Sequence, residues 1–110
     1  MIDLESEILD KMHKRIVQDF LDLVILLELE KHPLNGDDLV SFVRNKFHIS
    51  LSLGTVYSYL YALERGGLVK SEYAQKKIYT LTDRGRETVR VLPNIKAKIL
   101  GLMLNLFVGE

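Results

Sequence analysis

The chain has 110 residues, 47% hydrophobic and 27% charged, with 15 basic side chains against 15 acidic ones and no cysteine. That length builds one domain with an appended helix, not two independent cores, and the apolar share is too high for a disordered tail. Without cysteine there is no disulfide scaffold, thiolate metal site or cysteine nucleophile. His13, His32 and His48 are too far apart to share a helical face as metal ligands, so no metal or cofactor is implied. Charges break up the first 22 positions, and the uncharged run Ile99–Gly109 is too short to span a bilayer, so a cytoplasmic chain with no membrane partner is expected.

The zero net charge hides an asymmetry. Residues 1–32 carry eight acids and four bases, residues 33–66 three of each, and residues 67–110 eight bases and four acids. A polyanion responds to the patch within a Debye length, about 8–10 Å, more than to the distant total. The C-terminal half can therefore face a phosphate backbone, and the N-terminal third cannot.

Leu9, Met12, Ile16, Phe20, Leu23 and Leu27 recur in steps of three and four, which predicts helix from Leu4 to Glu30, either continuous or broken near Gln18–Asp19. From Phe20 to Lys31 the segment is apolar on most sides, as a central buried helix should be. His32-Pro33-Leu34-Asn35-Gly36 reads as a turn in which Asn-Gly accommodates positive φ. A second helix is expected over about 37–46, burying Leu39, Val40 and Val43, with Phe47 just past its end. Ser52 is a good N-cap for a third helix, Leu53 to Arg65, which buries Val56, Leu60 and Leu63 and stops at Gly66-Gly67.

The period then changes. Residues 68–73 and 77–81 are β-leaning runs around a polar turn, and they predict a hairpin. Thr82-Asp83 caps a last helix, in which Pro93 marks a kink or restart. Leu92, Ile95, Ile99, Leu102 and Leu106 follow at spacings of 3, 4, 3 and 4, a seam of coiled-coil type. The fold class is mainly α with a small β-hairpin: a winged helix-turn-helix with additional N- and C-terminal helices. A plain helical bundle is the rival, disfavoured by the glycine stop followed at once by paired β-rich runs. Residues 1–18 form an N-terminal helix joining a dimer interface, 19–92 the winged domain, and 93–110 a dimerisation helix.

In such a fold the third helix reads the DNA major groove. At about 100° per residue, Gly54, Ser58, Tyr61, Ala62 and Arg65 fall opposite the buried stripe, with Thr55 and Tyr57 at its borders. Tyr59 packs into the core. Lys76 and Lys77 at the hairpin tip suit a wing lying along a phosphate backbone. The terminal seam needs a partner, since one amphipathic helix beyond a complete domain cannot cover itself. A homodimer through Ile95, Ile99, Leu102, Met103 and Leu106, with Leu9, Met12 and Ile16 alongside, buries both stripes. The alternative is that the N-terminal helix covers the seam within one chain. A dimer seam of this kind can also enclose a small apolar effector, although the same side chains pack dry.

Four stretches carry a family resemblance: Leu26-Leu27-Glu28 to Pro33-Leu34-Asn35-Gly36, then Leu51-Ser52-Leu53-Gly54-Thr55-Val56-Tyr57, then Leu60 to Leu63-Glu64-Arg65-Gly66-Gly67-Leu68-Val69, and Lys77-Ile78-Tyr79-Thr80-Leu81-Thr82-Asp83-Arg84-Gly85. In order and spacing, residues 20–92 resemble the PadR family of transcriptional regulators. The resemblance implies a dimeric winged-helix DNA binder, often a repressor, that pairs through its C-terminal helix, with Ser52, Thr55, Tyr57 and the wing lysines meeting DNA. The family often has proline where Leu53 and Ser58 stand, and more arginine in its wing. An enzyme needs a catalytic constellation, and the sequence offers none: Asp37-Asp38 suits a helix start, and Ser52 and Ser58 have only His48 as a weak candidate base. The remaining rival is a dimeric adaptor whose third helix binds protein, which the near-neutral charge favours and the lysine-tipped wing disfavours.

Overall fold

The structure, a computed structural model, describes residues 3–108. Positions 1, 2, 109 and 110, the outer ends of the expected terminal segments and of the apolar run to Gly109, lie outside it. The order is α1 (Leu4–Asp19), α2 (Leu21–Lys31), α3 (Gly36–Phe47), α4 (Leu53–Arg65), β1 (Val69–Tyr73), β2 (Lys77–Leu81) and α5 (Asp83–Leu106). This is a winged helix-turn-helix extended at both ends.

Helices α1 and α2 are separated at Phe20, beside the expected break. There the Gln18 carbonyl accepts the Tyr59 hydroxyl at 2.6 Å, and the Leu23 N–H donates to the Asp22 carboxylate at 2.8 Å. Side chains thus replace part of the helical ladder and turn the chain. Tyr59 is accordingly half-buried, with its ring packed against the core and its hydroxyl on the α1–α2 junction. Helix α2 is the central element: Leu21, Ile25, Leu26 and Leu29 are buried in the core cluster, and the helix packs on α1, α4, β2 and α5.

The Asn35-Gly36 step differs from expectation. Asn35 is the N-cap of α3, and its side chain accepts from the Asp38 N–H (2.8 Å) while the Asp38 carboxylate accepts from the Asn35 N–H (3.1 Å). This reciprocal capping box satisfies two orphan donors, so the helix starts at Gly36 with no positive φ. Among the described residues, the left-handed ones are His48 (φ 58°), which closes α3, and Gly67 (φ 76°), which follows α4. Phe47 lies inside α3, not beyond it.

Helix α4 runs over the expected residues. The Ser52 hydroxyl caps the Thr55 N–H at 3.1 Å, and Val56, Leu60 and Leu63 are buried. β1 and β2 pair antiparallel from Val69↔Leu81 to Tyr73↔Lys77. Leu34 adds a short third rung through two backbone bonds to Tyr79, at 2.8 and 3.2 Å. Helix α5 continues through Pro93, a kink site in expectation but no interruption.

The outer helices behave differently from the centre. In α1 only Val17 is buried, Met12 is half-buried, and Leu9 and Ile16 are exposed. In α5 burial stops at Val89; Ile95, Ile99 and Met103 are half-buried, while Leu102 and Leu106 are 67% and 78% exposed. The N-terminal stripe therefore does not cover the seam within the chain: α1 packs on α2, and α5 on α2 and β2. The radius of gyration, 15.9 Å, exceeds the roughly 13 Å of a compact chain this long, because both helices project.

Candidate nucleic-acid interface

The outward side of α4 carries the expected residues. Gly54, Ser58, Tyr61, Ala62 and Arg65 are exposed, and Thr55 and Tyr57 are half-buried at the borders. Their hydroxyls are already engaged in part. The Ser52 and Thr55 side chains lie 2.9 Å apart, and Ser58 donates to the Gly54 carbonyl at 3.0 Å. In that rotamer Ser58 offers an incoming group only its lone pairs. Arg65 is exposed and places its guanidinium 5.6 Å from the centre of the Tyr61 ring, a cation–π pair.

Tyr57 belongs to a cleft between α4, the N-terminus of α3 and the hairpin. Its ring packs 6.5 Å from that of Tyr79 and closely over Gly36, where a Cβ would lie 2.7 Å from the ring. Asp37, Tyr73, Gln75 and Lys76 line the same cleft. Sequence reasoning passed over Asp37 as one of two acids at a helix start. Here Asp38 makes the cap, and Asp37 pairs with Lys76 at 3.5 Å. Lys77 is not a free tip cation either. It is one-third exposed, 3.8 Å from the Glu64 carboxylate and 5.6 Å from the centre of the Tyr79 ring. Neither carboxylate could have been paired with its lysine from sequence, because each partner lies on a distant element.

Tyr79 is 2% exposed. Burial holds its phenol above the ordinary tyrosine range, with neighbouring Lys77 working in the opposite direction. The fold thus favours the neutral phenol: the stabilisation is complete below the unfolded value of about 10 and declines as pH rises past it. The stability difference between wild type and Tyr79→Phe should stay flat to about pH 9 and then move in favour of the phenylalanine variant. Urea titrations across that range would check this.

Among the described residues, no three His, Asp or Glu side chains gather where a metal could sit. An open apolar groove of about 450 Å³ runs between α2 and α5, lined by Leu23, Leu27, Leu92, Pro93, Ile99 and Leu100.

The sequence model of the transcriptional regulator PadR-like family matches residues 25–91, from within α2 to beyond the start of α5. The chain belongs to this family. A PadR family transcriptional regulator from Eggerthella lenta superposes with a TM-score of 0.76 at 22% identity, over 96% of this chain and 97% of that one. A PadR family transcription regulator from Clostridium difficile R20291 gives 0.70 at 26% identity, covering 81% and 99%. Bacillus subtilis PadR, whose structure is in complex with operator DNA, gives 0.58 at 29% identity, over 64% of this chain but 43% of that longer one. No curated protein matches the sequence. The matched stretch contains α4 and the wing but leaves out all of α1 and the apolar end of α5, so the family assignment rests on the winged domain alone.

Proposed function

We infer that this PadR-like chain is a cytoplasmic homodimer that binds double-stranded DNA sequence-specifically and represses transcription. The observation that carries the reading is one exposed face holding Gly54, Ser58, Tyr61 and Arg65 on α4, flanked by the wing cations. In this reading Ser52, Gly54, Thr55, Tyr57, Ser58, Tyr61 and Arg65 meet the duplex, and Lys76 and Lys77 reach the backbone. The winged unit 19–92 binds DNA, while 1–18 and 93–110 pair two copies through Leu9, Met12, Ile16, Ile95, Ile99, Leu102, Met103 and Leu106. A two-fold axis then sets two reading helices on one duplex. The α2–α5 groove lies where the second copy would close it, and in the dimer it is the place for a small apolar effector.

Arginine and lysine contacts to phosphates release counterions, so affinity for a duplex from the protein's own upstream region should fall by orders of magnitude between about 50 and 200 mM salt. A gel-shift titration tests this. Arg65→Ala, or Lys76→Ala with Lys77→Ala, should weaken the shift while leaving the dimer intact. No shift on any duplex would favour the adaptor reading.

Gly54 offers a cleaner separation of folding from binding. A Cβ there meets only the Ser52 hydroxyl, at 3.9 Å, so nothing in the chain itself requires glycine. Gly54→Ala should raise thermal stability slightly, by up to about 1 kcal/mol, yet weaken DNA binding about tenfold, because the methyl holds the backbone off the phosphate. A melting curve and a shift titration on the same preparation would check both halves.

A further inference from the structure

An isolated two-stranded hairpin is marginal in water, so the direction of a wing depends on what ties it down. At its root this wing is well held: Val69 and Leu81 are buried, and Leu34 pairs with Tyr79. Beyond Ser71 and Tyr79 the strands leave the core, and Tyr73 is 81% exposed. Two side-chain tethers remain there. The Lys76–Asp37 pair is more than half exposed on both sides, and such a pair is screened by water and contributes little.

The other tether is different in kind. The Glu64 carboxylate accepts the Ser71 hydroxyl of β1 at 2.6 Å through Oε2, and its Oε1 lies 3.8 Å from Lys77 Nζ of β2. One carboxylate thus holds both strands, and at about one-third exposure it is less screened. The register places Ser71 opposite Tyr79, with Lys77 on the same face, so both contacts come from the side of the hairpin turned to α4. Glu64 also immediately precedes Arg65 on the helix that carries the outward face.

We propose that Glu64 is the positioning residue that locks the wing to the reading helix, so that both engage one DNA backbone as a rigid unit. The inference rests on the DNA-binding reading above. Glu64 itself does not touch DNA; it acts through Ser71 and Lys77. A freed wing would have to be ordered on binding, and its lysine contacts would be lost or weakened.

The test compares Glu64→Ala, Glu64→Gln and Ser71→Ala in salt-series shift titrations, with melting curves to confirm folding. Glutamine keeps an oxygen for Ser71 but removes the charge; alanine removes both. Expected are about tenfold weaker binding for Glu64→Ala and Ser71→Ala, and a log–log salt slope shallower by about one to two phosphate contacts. Glu64→Gln, which keeps the Ser71 contact and loses the Lys77 one, should fall between wild type and Glu64→Ala, and Glu64→Ala combined with Ser71→Ala should bind no worse than Glu64→Ala alone. If Glu64 acts only as a negative charge near the phosphates, Glu64→Ala and Glu64→Gln behave alike, and both bind as tightly as wild type or more tightly; that result overturns the proposal. Should Glu64→Ala fail to fold, Ser71→Ala decides, and wild-type affinity there also overturns it. Absence of wild-type binding would instead remove the DNA reading, and amide exchange at residues 72–78 would still report whether Glu64 holds the wing.

Discussion

Gly85→Ala should be the most damaging single methyl that can be added to this protein. Gly85 is buried in the first turn of α5, where Thr82 caps its N–H at 3.1 Å and the same Thr82 hydroxyl donates to the Gly67 carbonyl at 2.6 Å. A Cβ at position 85 would sit 2.0 Å from the Leu68 carbonyl oxygen and 3.2 Å from the Leu81 side chain. Leu68 cannot yield easily, because that oxygen accepts the Thr82 N–H at 3.1 Å and its own N–H bonds the Leu63 carbonyl at the end of α4. The obstacle is backbone held from both ends, so α5 must move off the hairpin. Overpacking of this kind costs about 3 kcal/mol or more, well above the roughly 1 kcal/mol that alanine contributes to helix propensity. A melting temperature lower by about 10 °C or more is expected by circular dichroism; an unchanged value would mean that α5 does not dock on the Leu68 carbonyl.

The second large effect concerns the exposed end of α5. Leu100, Leu102, Leu104, Leu106 and Phe107 are each more than half exposed, a denser apolar patch than a monomer normally leaves in water. Ile99→Asp with Leu102→Asp puts two carboxylates on that seam. The core, from Val17 to Val89, does not include either residue, so the fold should persist. The mass by light scattering should fall from twice the chain mass of 12.7 kDa to that single value. Operator affinity should drop by about a hundredfold or more, because the second reading helix is no longer held at high effective concentration. An unchanged mass would place the interface elsewhere.

Local chemistry explains why some of this was readable from residue order. Ser52 opens α4, Val56, Leu60 and Leu63 face the core at a helical period, and the glycine pair closes the helix; these are signals within one element. The exposed stripes of α1 and α5 were legible for the same reason, since periodicity marks an apolar face whichever partner covers it. Asn35-Gly36 misled because the dipeptide suits a turn as well as a cap. Asp38 completing the box, and the Tyr57 ring over Gly36, decide for the cap. The pairing of Lys76 with Asp37 and of Lys77 with Glu64 depends on where the hairpin lies against α3 and α4, a tertiary fact with no local signature.

Hydroxyl-radical footprinting of the wild-type protein on a duplex selected from a random pool probes the account at its centre. Two outward α4 faces related by a two-fold axis should protect two stretches on one side of the helix, centred about 10–10.5 base pairs apart or a multiple of that. Both stretches should weaken together in Arg65→Ala. A single protected stretch, or protection indifferent to Arg65, would contradict the assignment of this face as the DNA reader of a symmetric pair.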